Sequence, residues 1–314
     1  SKKYPGVSFG TFHAIFFTIL KHAYHYTASN IAREEVKYQF MREIIAKNRI
    51  ACEDESEFAG HMLNEISVLK KSGAAVQNYY PVHCGKEIFR QIFHEYGRYM
   101  QDHRLIDFDD ILVYTKELLE QRADIRAAWQ QKFAYIMVDE FQDINRLQYD
   151  TIRLLCAKAA NLFVVGDDDQ SIYRFRGSSP ELMLNFPKDF PTAQVISLSV
   201  NYRCPKQIAQ KAGNLIRHNQ NRFEKQTESA GADGTTFRIA KFASIQEENK
   251  AIIELIRKKA GQGICYGQIA VLYRTNMQPG PLIAKLMEYN LPFRTKERIP
   301  NLYEHWMAQD IKTY

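Results

Sequence analysis

Two short apolar runs that end in clusters of carboxylates are the most informative pattern in the chain. The run Tyr135–Val138 leads into Asp139 and Glu140, and the run Asn161–Val165 leads into Gly166-Asp-Asp-Asp-Gln170. Short apolar, β-branched runs are typical of buried parallel strands, whose C-terminal ends open onto ligand sites. Because such ends meet at one edge of a sheet, we expect the acids to converge there. These acids are Asp139, Glu140, Asp143 and the aspartates at positions 167, 168 and 169.

Residues 21–104 follow a helical period instead. Apolar side chains recur every three or four residues in three stretches, which we expect to begin near Ser29, Ser56 and Gly85. The second stretch is expected to end at Gly73, since glycine is common just past a helix. The block has no internal repeat and no catalytic spacing, and it is therefore predicted to be an all-helical insertion.

The rest of the chain alternates between predicted strands and helices. Strands are expected at Val7–His13, Gln194–Ser199, Phe237–Phe242, Ile269–Tyr273 and Pro292–Thr295. Helices are expected after Val7–His13 to Leu20, after the capping residue Asp107 to about Glu120, at Arg146–Ala159, from Pro180, up to about Arg217, and at Glu247–Lys259 and Pro281–Tyr289. The alternation beyond the glycine-containing loop at residues 228–235 predicts a second α/β domain.

Composition narrows the class of protein. Of the 314 residues, 45% are hydrophobic and 25% are charged, with a formal net charge of +6, a balance that suits a globular protein of two or three domains. The modest positive excess fits a nucleic-acid partner without requiring one. The five cysteines include no Cys-x-x-Cys pair, so neither structural zinc nor a disulfide framework is expected, and the expected compartment is a reducing cytoplasm. No apolar run approaches the roughly 20 residues of a membrane-spanning helix, and the first residues lack the apolar segment of a signal peptide.

The acid pair after the first run suits phosphate chemistry. Asp139 can hold Mg²⁺ through water, and Glu140 can orient or deprotonate a water aimed at a γ-phosphate. The alternative is that the pair only marks a strand end facing solvent. The neighbouring acids favour the first interpretation, because like charges at this density repel unless a cation or a cationic partner offsets them.

Three ordered segments carry a resemblance to a known family. Asp139–Asp143, Val165–Tyr173 and Asn201–Arg203 resemble motifs II, III and IV of superfamily 1 DNA helicases of the UvrD/PcrA/Rep type. The similarity runs from Gly10–His13 through Leu105–Leu112 to Val271–Asn276. It implies an α/β fold with a RecA-like parallel-sheet motor domain in residues 1–20 and 105–200, an all-helical accessory insertion in 21–104, and the first part of a second RecA-like α/β domain in 201–314.

The resemblance also implies the ATP site. Asp139 would coordinate Mg²⁺, Glu140 would be the water-activating base, and Gln170 would sense the γ-phosphate. Arg203 resembles the arginine that reaches the γ-phosphate from the second domain, where it neutralises charge in the transition state. Tyr202 resembles the aromatic residue that stacks on adenine.

Two further segments would contact DNA. Thr11 and His13 lie in a segment that resembles motif Ib, although a helix cap and a core histidine are the structural alternative. Tyr173, Phe175 and Arg176 form a loop that can stack on unpaired bases and bind phosphate, with a hydrophobic anchor as the alternative. The family usually has tryptophan where Phe175 stands, so stacking is expected to be weaker.

The missing motifs define what this chain is expected to be. There is no Gly-x-x-x-x-Gly-Lys-Ser/Thr loop, and the chain ends at Tyr314, before motifs V and VI. We therefore expect the central portion of an ATP- and Mg²⁺-dependent 3′-to-5′ helicase that acts on single-stranded DNA and single-strand/duplex junctions in repair or replication. Ser1 reads as a cut within a longer gene, and the chain by itself is not expected to turn over ATP.

Two alternatives stay open from the sequence. One is the helicase portion of an AddA-type recombination helicase-nuclease, which a nuclease domain after Tyr314 would distinguish. The other is a degenerate motor that binds DNA as a scaffold without hydrolysis, which a phosphate loop before Ser1 would exclude.

Overall fold

The computed structural model of the chain describes residues 6–156, 161–173, 177–225, 227–234 and 237–296. The chain divides into two units, Ser1–Ala232 and Asp233–Tyr314. The first unit extends past the predicted domain boundary at residue 200, because residues 201–232 pack with the residues that precede them. The predicted domain ranges stay predictions.

The helical block of the first unit contains three α-helices, as the periodicity predicts. They are α2 (Glu34–Lys47), α3 (Glu55–Ser72) and α4 (Lys86–Asp102). Helix α3 ends at Gly73 in the left-handed conformation (φ 66°), and α4 follows Gly85. The shared core of the block is formed by Phe40, Met41, Ile44, Met62, Ile66, Leu69, Phe89, Ile92, Tyr96 and Met100.

The predicted starts of α2 and α3 need correction. Ser29 lies in a separate 3₁₀ turn, Ala28–Asn30, because the Asn30 side chain accepts the Thr27 backbone N–H at 2.8 Å and closes the turn. Helix α3 begins one residue before Ser56, because Asp54 is the cap and accepts the N–H groups of Ser56 and Glu57 at 2.8 and 2.9 Å.

A second group of helices packs beside the sheet. It consists of α1 (Phe12–Tyr24), α5 (Phe108–Gln121), α6 (Ala123–Lys132) and α7 (Arg146–Leu155). Asp107 caps α5 as predicted, accepting the Asp110 N–H at 2.8 Å. The predicted strand at Val7–His13 is wrong, because Thr11 already caps α1 and the apolar residues before it are exposed, Phe9 by 71%.

The sheet that carries the acids consists of β1 (Tyr135–Val138) and β2 (Asn161–Val164), paired in parallel with Val138 opposite Val164. Both strands were predicted from their apolar runs. One face contacts the core through Ile136, Val138, Leu162 and Val164. On the other face Met137 and Phe163 are 73% and 60% exposed. The parallel register brings the C-terminal ends of both strands to the same edge.

Short elements follow the sheet. They are α8 (Pro180–Leu184), α9 (Phe186–Asp189), β3 (Val200–Asn201), α10 (Lys206–Ile216) and β4 (Glu228–Ser229), with β3 and β4 paired in parallel. Pro180 is the first residue of α8, as predicted. The strand predicted at Gln194–Ser199 is not formed. Its side chains lie in solvent, with Ile196 76% and Leu198 82% exposed, and the nearest pairing among the described residues is that of the two-residue β3.

The second unit contains α11 (Ile245–Gly261) and α12 (Gly280–Glu288). Both helices were predicted, and they pack through Ile253, Ile256, Leu282, Leu286 and Leu291. The strands predicted at Phe237–Phe242, Ile269–Tyr273 and Pro292–Thr295 are not formed within residues 237–296. A strand needs a paired neighbour, and the side chains of Ile239 and Leu272 are instead 87% and 93% exposed. The chain is thus an α/β protein with small parallel sheets.

Within the described ranges, no helix combines the length and the apolar character that crossing a bilayer requires.

Candidate active site

The chain turns sharply at the end of β1 and displays two carboxylates there. Glu140 adopts the left-handed backbone conformation with φ 51°, which is uncommon for a residue with a side chain and is often retained at functional sites. Its N–H donates to Asp139 Oδ1 at 2.9 Å. The next residue, Phe141, is fully buried, and its N–H donates to the carbonyl of Val165 at 2.9 Å. A buried ring thus holds the corner while Asp139 and Glu140 remain exposed.

Gln142 connects the two acidic strand ends. Its side-chain Nε2 donates to Glu140 Oε2 at 2.7 Å, and its Oε1 accepts the backbone N–H of Asp167 at 2.9 Å. Its backbone carbonyl accepts the Ser171 hydroxyl at 3.3 Å. The Gln142 side chain is buried, so water has little access to its amide group, although Glu140 itself is exposed. Gln142 therefore fixes Glu140 relative to the turn that carries Gln170.

Gly166 allows this close approach. A β-carbon at this position would lie 2.7 Å from Gln142 Oε1 and 3.1 Å from the backbone nitrogen of Phe141. Both distances are shorter than ordinary van der Waals contact. The glycine is thus required by the packing of β1 and β2 ends, and not by an unusual backbone angle.

The three aspartates after Gly166 are paired with cations from the same chain. Asp169 accepts two hydrogen bonds from Arg222, at 2.8 Å from Nε and 2.5 Å from an Nη. Lys225 forms ion pairs with Asp167 at 2.5 Å and with Asp168. The cationic partner that the acid density required is therefore supplied here by Arg222 and Lys225.

Gln170 lies in the 3₁₀ turn Asp168–Gln170, and its amide Nε2 donates to Asp167 Oδ2 at 2.8 Å. Burial alone would raise the pKa of Asp167, but the hydrogen bonds from Lys225 and Gln170 hold that pKa below its usual value. Asp167 is thus ionised at neutral pH and joins Gln170, Lys225 and, through its own N–H, Gln142.

The acids at the β1 end differ in their surroundings. Burial, together with the negative charge of Glu140, raises the pKa of Asp143. Asp139 is exposed and has no cationic partner among the described residues. Within the same residues, no group of three His, Cys, Asp or Glu side chains is arranged to hold a metal. An exposed carboxylate such as Asp139 is a type of ligand that Mg²⁺ takes at nucleotide sites, where water and phosphate oxygens complete its coordination.

Tyr202 and Arg203 lie in a turn after β3. The Asn201 side chain accepts the backbone N–H groups of Arg203 and Cys204, both at 2.9 Å. Tyr202 is 82% exposed and Arg203 is exposed as well. Asp139, Glu140 and Gln170 are thus joined by a hydrogen-bond network, whereas no hydrogen bond or ion pair joins Arg203 to that network within the described part of the chain.

Thr11 and His13 have structural contacts of their own. Thr11 Oγ1 accepts the Ala14 N–H at 3.3 Å as the cap of α1. The His13 ring meets the ring of Phe108 edge-on, with centroids 5.6 Å apart. The cap matches the structural alternative for Thr11, whereas His13 is only partly buried rather than a core residue. Contact of either residue with DNA stays untested.

The predicted stacking loop is described only in part. Tyr173 is 38% exposed, and its carbonyl accepts the Ser178 N–H at 3.4 Å. Phe175 and Arg176 lie outside the described residues.

Comparison with known proteins places the chain in a family. The UvrD/REP helicase N-terminal domain matches residues 2–191, and the UvrD-like helicase C-terminal domain matches residues 196–311. The structure defines the class of protein, which is an α/β protein with acidic side chains at the ends of parallel strands. The chain belongs to the UvrD/REP helicase family.

Three relatives show the extent of the similarity. YjcD of Bacillus subtilis (strain 168) is 33% identical over 311 residues, which are 97% of this chain and 40% of that protein. The ATP-dependent DNA helicase PcrA of Staphylococcus epidermidis (strain RP62A) is 35% identical over 223 residues, 71% of this chain and 30% of that protein. PcrA of Staphylococcus aureus (strain Mu50) is 34% identical over 257 residues, 82% of this chain and 35% of that protein. The chain thus spans well under half the length of these relatives.

Sequence reasoning missed three residues of this site. Gln142 lies inside the acidic segment Asp139–Asp143. Its position next to a buried phenylalanine in the same turn is a sequence signal that could have identified it as part of the site. Arg222 and Lys225 gave no signal, because they contact residues 53 and 58 positions earlier in the chain.

Proposed function

We propose that this chain is the central portion of an ATP-dependent 3′-to-5′ DNA helicase, which couples ATP hydrolysis to translocation on single-stranded DNA and to duplex unwinding. The supporting observation is the network Glu140–Gln142–Asp167–Gln170, in which the ends of two parallel strands share one buried glutamine. Such a network can transmit a change at the nucleotide to the loop that begins at Ser171.

The proposed chemistry assigns one task to each residue. Mg²⁺, when bound, would neutralise charge on the phosphates, and Asp139 would hold it. Glu140 would accept a proton from the attacking water and is aimed by its bond to Gln142. Gln170 can both donate and accept, which suits a side chain that bridges a phosphate oxygen and that water. Arg203 would neutralise charge on the γ-phosphate, and Tyr202 would stack on adenine.

The proposed DNA contacts begin three residues after Gln170. Tyr173, together with Phe175 and Arg176, would stack on unpaired bases and bind phosphate. Thr11 and His13 would contact the DNA backbone from the start of α1. The proposed substrates are single strands and single-strand/duplex junctions, and the proposed setting is DNA repair or replication in the cytoplasm.

The hydrolytic role is tested in the full-length gene product. Glu140→Gln is expected to lower the kcat of DNA-stimulated ATP hydrolysis by roughly 10²- to 10⁴-fold, the usual contribution of a general base. Glu254→Gln is the matched control, because Glu254 is an exposed glutamate on α11 outside the network. Absence of activity in the wild type, or equal activity in both variants, would overturn the assignment.

The DNA contact is tested with the 314-residue chain. Its affinity for a labelled single strand is expected to fall as salt rises, and Tyr173→Ala should weaken binding by roughly 5- to 150-fold, the value of one stacked base. Tyr266→Ala serves as control, since Tyr266 is similarly exposed at 39%. Salt-independent binding, or equal affinity of the two variants, would count against the stacking loop.

A further inference from the structure

Residues 222–225, in the segment between α10 and β4, contact the Asp167–Gln170 turn through three hydrogen-bond donors. Arg222 binds Asp169 through two bonds, Lys225 pairs with Asp167 and Asp168, and the backbone N–H of Phe223 donates to Asp168 Oδ2 at 2.9 Å. Each of the three aspartates thus has a partner from residues 222–225. We call Arg222 and Lys225 together the cationic clamp.

The clamp is needed for electrostatic reasons. Three consecutive carboxylates within one turn repel each other, and the Asp168 side chain is only 2% exposed, so water cannot compensate for its charge. The planar guanidinium of Arg222 fixes both the position and the orientation of Asp169, whereas a single-point contact would fix the position alone. Loss of the clamp would therefore release the turn as well as lower its stability.

The clamp also reaches the catalytic groups through one shared carboxylate. Asp167 accepts Lys225 on Oδ1 and the Gln170 amide on Oδ2, and its own N–H donates to Gln142. Gln142 in turn donates to Glu140 at 2.7 Å. A shift of Lys225 would thus be transmitted to Gln170 through Asp167, and to Glu140 through Asp167 and Gln142.

We propose that Arg222 and Lys225 are positioning residues for ATP hydrolysis, which fix Gln170 and Glu140 by clamping the three aspartates and so make catalysis depend on the placement of the segment after α10. This proposal rests on the proposed helicase function. It assigns the control of ATP hydrolysis to residues outside the acidic motifs. Neither cation needs to touch the nucleotide.

The first test reads the turn itself and needs no activity. Amide hydrogen exchange in the 314-residue chain is measured for Asp169, Gln170 and Ser171, whose N–H groups all donate within the turn. In Arg222→Ala, exchange at these amides should accelerate by roughly tenfold or more. In this variant the turn can open without having to break the ion pair between Arg222 and Asp169. Arg217→Ala is the control, since Arg217 is an exposed arginine five residues earlier, just after α10. Equal exchange in the two variants overturns the proposal.

The second test reads catalysis in the full-length gene product. Arg222→Ala should lower kcat for DNA-stimulated ATP hydrolysis by about tenfold with little change in the KM for ATP, because binding groups stay in place while the reacting groups lose alignment. Asp169→Asn should act likewise, and the double variant should lose no more than either single one, since both break the same contact. Arg222→Lys, which keeps the charge, should recover part of kcat and guards against a loss of folding.

The outcomes separate the two proposals. Accelerated exchange with an unchanged kcat would make the clamp a purely structural contact and would overturn its positioning role. Additive losses in Arg222→Ala and Asp169→Asn would do the same. A wild type without ATP hydrolysis would overturn the proposed function and any catalytic role of the clamp, while the exchange data would still show whether the clamp fixes the turn.

Discussion

Lys70 on α3 lies 2.6 Å from Asp110 on α5, measured from Nζ to Oδ1, in a contact where both side chains are nearly buried. The same ammonium group lies 2.8 Å from Asp107 Oδ2, and the Tyr96 hydroxyl donates to that oxygen at 3.5 Å. Burial opposes the charge on Lys70, but the two carboxylates outweigh it and raise the pKa of the lysine. One buried cation thus joins the helical block to the helix that packs beside the sheet.

Removal of this cation should be costly. Lys70→Ala leaves two buried carboxylates without a counter-charge, and we expect the free energy of unfolding to fall by about 3–5 kcal/mol in a urea titration. Lys71→Ala is a matched control, because Lys71 is the next residue and pairs with Asp109 at 3.3 Å nearer the surface. The control should lose less than about 1 kcal/mol, and similar losses in both variants would contradict the prediction.

Gln142→Leu tests the link between the strand ends. Leucine fills a similar volume but leaves the Asp167 N–H unpaired and Glu140 without its donor, so we expect a stability loss of about 1–3 kcal/mol. In the full-length gene product, kcat should fall with little change in the KM for ATP. Gln121→Leu replaces an exposed glutamine at the end of α5 and should change neither quantity. A normal kcat in Gln142→Leu would show that the network is dispensable.

Gly166→Ala should damage the same network from the opposite side. The added β-carbon would displace the Gln142 side chain, which is the softer neighbour, and would press on the Phe141 backbone. We expect a stability loss of about 1–3 kcal/mol and a fall in kcat that is not additive with Gln142→Leu. Gly97→Ala is the control: Gly97 is exposed in α4 with open space around it, so alanine should stabilise by about 0.5–1 kcal/mol. Additive losses at Gly166 and Gln142 would refute the shared mechanism.

The hydrophobic pattern predicted those elements whose local signals and tertiary contacts agree. Helices α1, α2, α3, α4, α5, α7, α10, α11 and α12 and strands β1 and β2 were found in this way. Apolar alternation alone failed at Gln194–Ser199 and Phe237–Phe242, because a strand also needs a hydrogen-bonded neighbour, which a local pattern cannot supply. Helix α6 was missed for the opposite reason: its one buried residue is Trp129, so it has almost no apolar periodicity.

The part of the site that is formed by the ends of the two strands could be predicted from the sequence. Because parallel strands bring their C-terminal ends together, the proximity of Glu140 and the Asp167–Gln170 turn followed from two runs of sequence. The clamp did not follow, since pairing between Arg222 and Asp169 depends on how a distant segment folds back. The left-handed conformation of Glu140 was also invisible, because glutamate has no local preference for it.

The pH dependence of stability offers a separate test at the start of α1. Burial beside Phe108 lowers the pKa of His13 from its ordinary value of 6.5; Asp109 opposes this shift and Lys71 adds to it. The folded chain therefore favours the neutral imidazole, and the unfolded chain takes up the proton first as the pH falls. The His13 contribution to stability is thus fully present above about pH 6.5 and is lost as the pH drops below it.

His13→Gln should remove this contribution. We expect the difference in Tm between the wild type and the variant to shrink as the pH is lowered from about 7.5 to about 5, across the pKa window of histidine. His218→Gln is the control for the substitution itself, because His218 is an exposed histidine after α10. The same variants test the proposed contact with DNA. If His13 contacts the DNA backbone directly, His13→Gln should bind single-stranded DNA more weakly at pH 7.5, where the fold is intact. If the Tm difference is constant with pH, the imidazole is not held neutral by its contact with Phe108.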